Sequence, residues 1–266
     1  MVPPTTETPP PIADRAAPAG SDLRDTAAAA AAAAAAGHGK RAYVQRMFSD
    51  IAPRYDLLNH VLSLNIDRAW RRKALRALAW DRVPAGHYLD LCAGTLDVGA
   101  MLVRQAGFTG RVIGADFAVP MLRYGAGKAP ADRLTPVGAD ALPLANGSVD
   151  GAIVAFGIRN VADLDAGLRE VRRVLKPGAR FVILEFSTPP SRLVRLGYHA
   201  YFHHVLPAVG RLVSGHGSAY TYLPLSVAHF PTEQALADRL IAAGFRDVIW
   251  QRVSFGIAAI HMGVVP

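Results

Sequence analysis

Between residues 40 and 80 the apolar positions recur three and four apart, in KRAYVQRMFSDIAPRYDLLNHVLSLNIDRAWRRKALRALAW. That spacing gives helices with one buried face, and Pro53 interrupts the series. The period then changes. Short apolar runs begin to alternate with helical stretches. HYLDLCAG predicts a strand at 87–94, followed by a helix over 97–107. RVIGADF predicts a second strand at 111–117 and a helix over 119–128. LTPVGADA, at 134–141, reads as a weaker third strand. VDGAIVAFGI (149–158) is a strong fourth, followed by a helix over 163–175 and a fifth strand, ARFVILEFS, at 179–187. A long, less regular stretch precedes a last helix over 232–245 and two strands, at 246–255 and 257–263. Strands separated by helices in this rhythm imply right-handed crossovers and an α/β fold, its mostly parallel sheet covered by helices on both faces. Ligands of such sheets bind beyond the carboxyl ends of the strands.

The first 40 residues carry no such pattern. MVPPTTETPPPIADRAAPAG is proline-rich and lacks the basic start and apolar centre of a secretory signal, and ten alanines follow from Ala27 to Ala36. Residues 1–40 are therefore expected to be a disordered, dispensable tail, and 41–266 a single domain with an N-terminal helical cap. Cys92 is the only cysteine, which excludes an intrachain disulfide and a multi-cysteine metal site, and no metal is expected. No apolar run approaches the roughly 20 residues that span a bilayer. The expectation is a cytoplasmic protein. A net charge of +8 suits an anionic membrane surface, an acidic ligand or plain solubility. No basic-aromatic stripe of the kind RNA modules carry is visible, so nucleic acid is not an expected partner.

The strand ends hold the candidate chemistry. Gly94 and Thr95 follow the first strand, and Asp116 ends the second, 21 positions beyond Thr95. A carboxylate there suits the two hydroxyls of a ribose, although it can also simply cap the next helix. Asp140 and Ala141, after the third strand, can read an adenine edge. Neither G-x-G-x-x-G nor a phosphate loop is present, so a nucleoside without phosphates fits best, and S-adenosylmethionine is one. The fourth strand runs into Arg159 and Asn160, an unusual pair to place at the end of a buried strand.

Taken together, MFSDIAPRYDLLNHVLSLNIDRAWRR, LDLCAGTLD, DFAVPML, FGIRNVADLDAGLREVRRVLKPGARFVILEFSTP, YLPLSVAHFP and AAGF resemble the quinone-biosynthesis C-methyltransferases of the ubiquinone/menaquinone type, from about Tyr43 to Gly263. The resemblance implies a seven-stranded, Rossmann-like class I methyltransferase fold, S-adenosylmethionine as donor and a lipophilic polyprenyl quinol as acceptor. It also implies cofactor contacts at Gly94, Thr95, Asp116, Asp140, Ala141 and the position of Ala155, and catalytic roles for Tyr55, Arg159 and Asn160. The chain departs from the family at two places: Leu96 stands where glycine is usual, and Ala155 where serine is common. Leu96 either crowds the cofactor or points away.

Carbon methylation needs a ring carbon made nucleophilic by loss of a phenolic proton, and a phenol titrates near pH 10. Arg159 cannot be the base, but it can stabilise the phenolate or orient a water, with Asn160 holding that water or a ring oxygen. Its alternative role is a structural pairing with Glu185 or Asp163. The spacing of His60, His203, His204 and His261 singles none of them out as a base. SRLVRLGYHAYFHHVLPAVGRLV (191–213) mixes basic, aromatic and aliphatic residues, fitting either a cap over the site or peripheral contact with the inner face of a membrane. A homodimer stays open. The rival readings are a methyltransferase of small phenolic metabolites and a non-catalytic cofactor-binding scaffold.

Overall fold

The structure, a computed structural model, describes residues 30–31, 39–56, 63, 65–138, 141–201 and 218–266. Asp140, His60, His203, His204 and most of the expected tail lie outside these residues, as does 202–213 of the basic-aromatic stretch.

The helical cap comprises α1 (Lys40–Ile51), a 3-10 turn at Ala52–Arg54 that carries Pro53, and α2 (Ile66–Leu78). The alternating part follows as β1 (His87–Leu91), α3 (Asp97–Val103), β2 (Arg111–Asp116), α4 (Val119–Gly125), β3 (Leu134–Gly138) and β4 (Val149–Ala155). After a 3-10 turn at Ile158–Asn160 come α5 (Leu164–Val174), β5 (Leu175–Phe186), α6 (Arg192–Ala200) and α7 (Ser218–Ala228). The chain ends in α8 (Glu233–Ala242), β6 (Arg246–Val253) and β7 (Ala258–Val264).

Seven strands form one sheet in the order β3-β2-β1-β4-β5-β7-β6. The first five pair in parallel, while β7 runs antiparallel between β5 and β6. Alternate residues of each central strand face opposite layers. Ile153, Val182 and Leu184 pack with Trp70, Leu75 and Leu78 of α2 and Val98 and Leu102 of α3. Ala152, Val154, Phe181 and Ile183 pack with Leu168 and Val171 of α5 and Leu236 and Leu240 of α8. This is the expected doubly covered sheet. Strand order reverses between β1 and β4, the place where such sheets open a crevice for ligands.

The structure differs from the sequence pattern in four places. β5 begins at Leu175 rather than 179, because Val149 pairs with Leu175 and Gly151 with Arg180, leaving Pro177 and Gly178 in a bulge. α3 and α4 end at Val103 and Gly125, earlier than the apolar spacing predicts. The stretch expected to be irregular contains α7, a helix with Pro224 inside it. Ala30, within the segment expected to lack a core, is helical and fully buried against Val44, Met47, Ile51 and Tyr222. A methyl group is small enough to fill the gap those larger side chains leave.

Candidate active site

The loop between β1 and α3 is built on uncommon backbone. Cys92, Gly94 and Leu96 all have positive φ, as does Phe156 after β4. Non-glycine residues take this conformation rarely, and clusters of it mark sites where the fold overrides local preference. Leu96 is 1% exposed and turns into the core. A Cβ on Gly114 would lie 2.3 Å from its Cδ2, and one on Gly125 would lie 2.9 Å from its Cγ. Glycine at both positions makes the pocket that Leu96 fills, so its side chain points away from the turn. As α3 has no capping side chain of its own, Asp90 of β1 accepts the Gly99 N–H at 2.8 Å instead. Burial pushes the Asp90 carboxyl up to about 7, against that bond and the pull of Arg71.

Asp116 ends β2 with each oxygen already holding a backbone donor. Oδ2 accepts from Gly94 N at 2.8 Å and Oδ1 from Ala118 N at 2.7 Å. Burial raises its pKa, while the two N–H groups favour the ionised form. Each oxygen keeps a further lone pair, and Asp116 lines a cavity of about 370 Å³, within the size range of small-ligand sites. Leu91, Ala141, Leu142 and Val161 give that cavity apolar walls, and Asn160 and Asp163 line it as well. A much smaller cavity of about 30 Å³ continues past Cys92, Asp116, Phe117 and Asn160 to Gly94, Ala155, Phe156 and Tyr55. An apolar wall for a base, a carboxylate for a ribose and a narrow extension toward Gly94 suit an S-adenosyl group. Ala155 offers no side-chain hydrogen bond there.

Of the expected catalytic residues, the structure brings Tyr55 and Asn160 to the small cavity. Tyr55 stands edge-on to Phe48 at 5.9 Å, and Asn160 Oδ1 accepts from the Tyr222 hydroxyl at 3.0 Å. Arg159 lies behind them. Its Nη1 donates to Glu185 Oε1 at 2.7 Å and to the Phe156 carbonyl at 2.5 Å, and its Nε to Ser226 Oγ at 3.3 Å. Both members of the ion pair are buried, at 7% and 2% side-chain exposure. Of the two partners considered for a structural pairing, Glu185 is the one engaged. Asp163 instead caps α5 by accepting from Ala166 N at 2.9 Å. Lys40 Nζ donates to the Arg159 carbonyl at 2.8 Å, and burial, with the Arg159 charge, lowers its pKa. Thr95 donates its hydroxyl to Asp56. His261 sits away from these groups, its Nε2 at 2.9 Å from the Glu233 carbonyl.

Glu185, Tyr222, Ser226 and Lys40 complete the setting of the Arg159–Asn160 turn. Tyr222 and Ser226 both come from YLPLSVAHFP, a segment whose resemblance was visible but whose destination was not. Asp56 sits inside YDLLN beside Tyr55, and that adjacency was the available signal for it.

Comparison with known proteins bears on the family and the fold. The profile of the ubiE/COQ5 methyltransferase family matches residues 37–265. The demethylmenaquinone methyltransferase of Thermus thermophilus is 47% identical over 224 residues, covering 83% of this chain and 100% of that one. The ubiquinone/menaquinone biosynthesis C-methyltransferase UbiE of Geobacter sulfurreducens is 45% identical over 226 residues, covering 83% and 87%. Among solved structures, the [4+2]-cyclase SpnF aligns at a TM-score of 0.62 with 15% identity, covering 85% of this chain and 96% of that one. A possible histamine N-methyltransferase of Thermotoga maritima, described as SAM-dependent, aligns at 0.57 with 16% identity, covering 83% and 99%. At such identities the structural likeness establishes the fold alone, and a cyclase on the same fold shows why.

Proposed function

The chain belongs to the ubiE/COQ5 methyltransferase family, and on that premise we propose that it uses S-adenosylmethionine to methylate a ring carbon of a polyprenylated quinol. The acceptor is a demethylmenaquinol, a demethylated ubiquinol precursor, or both. The observation that carries the reading is Asp116, whose two oxygens are held by backbone N–H groups and which lines a cavity with apolar walls.

Asp116 would hold the ribose hydroxyls, Ala141 and Leu142 would flank the adenine, and the Gly94–Thr95 turn would receive the methionine end. Asp140 belongs to this set by its place in the sequence. The cofactor supplies an electrophilic methyl group on a sulfonium. The chain must then help remove the quinol's phenolic proton and keep water out. Tyr55 and Asn160 line the extension next to the cofactor turn, so they would orient the ring oxygen or the water that takes its proton. Asn160 is itself oriented by Tyr222. Arg159 is already balanced by Glu185 and would act mainly by fixing the turn that presents Asn160, adding a partly neutralised positive field.

The isoprenoid tail comes from a membrane. No helix among the described residues is long and apolar enough to cross one. α6 exposes Leu193 and Leu196, at 80% and 69%, beside Arg192 and Arg195, an arrangement suited to a bilayer interface.

Asp116→Ala should weaken S-adenosylmethionine binding by about 2–3 kcal/mol, measured by calorimetry, as two charge-assisted hydrogen bonds are lost. An unaltered dissociation constant would move the nucleoside elsewhere. Turnover on short-tail demethylmenaquinol and on the demethylated ubiquinol precursor decides between the acceptors. Binding without turnover on either supports the small-phenol reading, and no binding supports the scaffold.

A further inference from the structure

Two carboxylates from distant parts of the chain converge on Lys128. Its ammonium lies 2.5 Å from Asp56 Oδ2 and 2.7 Å from Asp97 Oδ1. Asp56 also receives the Thr95 hydroxyl, so it ties the segment carrying Tyr55 to the turn beside Asp116. Asp97 is the first residue of α3, and Arg71 of α2 holds its other oxygen at 2.8 Å. The result is a chain of alternating charge running from Arg71 through Asp97 and Lys128 to Asp56.

The two ends of this chain differ in strength. Arg71 is 7% exposed and Asp97 20%, whereas Asp56 is 36% exposed. A buried, hydrogen-bonded pair is costly to break, while one open to water holds weakly and exchanges readily. The Arg71–Asp97 half is therefore an anchor and the Lys128–Asp56 half can open. The space beneath explains why it must. The cavity between Tyr55 and Gly94 has about 30 Å³, room for a water or two when one water takes about 10–15 Å³. A methionine-sized group enters it only if the lining moves, and Tyr55 is the lining residue next to the partly exposed Lys128–Asp56 pair.

We infer that Lys128 is a positioning residue, the fixed half of a latch that closes the Tyr55–Asp56 segment over the methionine end of the cofactor. The inference rests on the proposed cofactor site. Lys128 lines neither cavity, so it would act on the ligand only through the segment. It sets how long the segment stays shut, and so governs ligand entry and ligand release alike.

Release of S-adenosylhomocysteine from the full-length protein, followed by stopped-flow fluorescence, tests this. Lys128→Met and Asp56→Asn should each speed release by about two- to fivefold, the scale of one partly exposed ion pair. Lys128→Arg should stay near the wild-type rate. The double variant Lys128→Met/Asp56→Asn should release no faster than either single, because both open the same pair. Melting temperatures of the unliganded variants separate the latch from simple destabilisation, and Asp56→Asn, which keeps its shape, covers the case in which Lys128→Met does not fold. Unchanged release from folded variants overturns the latch, as do single effects that add in the double variant. Asp116→Ala is the control for the underlying site. If it binds like wild type, the cofactor reading itself fails. If it binds weakly while Lys128→Met and Asp56→Asn release normally, only the latch fails.

Discussion

At the scale of single residues, the decisive fact is that Arg159 is a balanced charge. A guanidinium 2.7 Å from a carboxylate of 2% exposure belongs to a pair, and removing one partner strands the other in the interior. Arg159→Ala should therefore cost about 3–5 kcal/mol of stability, seen as a lower urea midpoint, from the uncompensated Glu185. Arg159→Met with Glu185→Gln should recover most of it. Turnover of that double variant then isolates catalysis: a loss of about 10²–10³ in the folded protein means the charge acts on the reaction, and near-normal turnover leaves Arg159 as a strut. Asp116 stands out in the sequence as an acid ending a second strand after a small-residue turn, and its bonds to Gly94 N and Ala118 N appear only in the structure. The partner of Arg159 is readable only as a pair of candidates, since the choice between Glu185 and Asp163 depends on which strand lies beside β4. Lys128 gives no local sign at all. It looks like an ordinary cation after a helix, and its two partners lie 72 and 31 positions away.

At the scale of elements, α3 shows how the sheet sustains a helix that lacks its own cap. Asp90 reaches from β1 to the Gly99 N–H, and burial holds its carboxyl at about 7, above the roughly 3.9 of an unfolded aspartate. A carboxyl raised on folding binds its proton more tightly in the native state. Its contribution is thus favourable below about pH 4 and is lost as pH rises toward 7, with a steepest slope of about 1.4 kcal/mol per pH unit. Asn in its place keeps the acceptor without the proton. Asp90→Asn should therefore gain stability relative to wild type between pH 5 and 8, and urea titrations of the two proteins at several pH values check this. A constant difference across that range would mean that Asp90 is ionised throughout. Strand and helix identities follow well from apolar spacing here, because β1, β2, β4 and β5 are buried on both faces. Helix ends follow poorly, since α3 and α4 stop at backbone caps on Arg104 and Ala126 while the apolar spacing runs on past them.

At the scale of the whole molecule, the N-terminal cap is not an appendage. Lys40 bonds the Arg159 carbonyl, Gln45 bonds the Phe117 carbonyl, and Ala30 packs beneath α1. Deleting residues 1–29 should leave the melting temperature unchanged, whereas deleting 1–40 should lower stability by about 1.5–3 kcal/mol through loss of the buried lysine bond. Equal melting of both truncations would show that the cap holds without Lys40. The fold class is plain from the alternation of periods, but the cap's role is not, because its contacts are made with segments more than 70 positions away. The placement of β7 has a consequence during synthesis. β5 is made early, yet its second neighbour in the sheet is residues 258–264, so one edge of FVILEF has no strand to pair with while the intervening 71 residues, 187–257, emerge from the ribosome. An open, apolar edge of that kind recruits other nascent chains. Chains truncated anywhere from residue 187 to residue 257 should accordingly aggregate, and solubility should return abruptly once β7 is present to slide home.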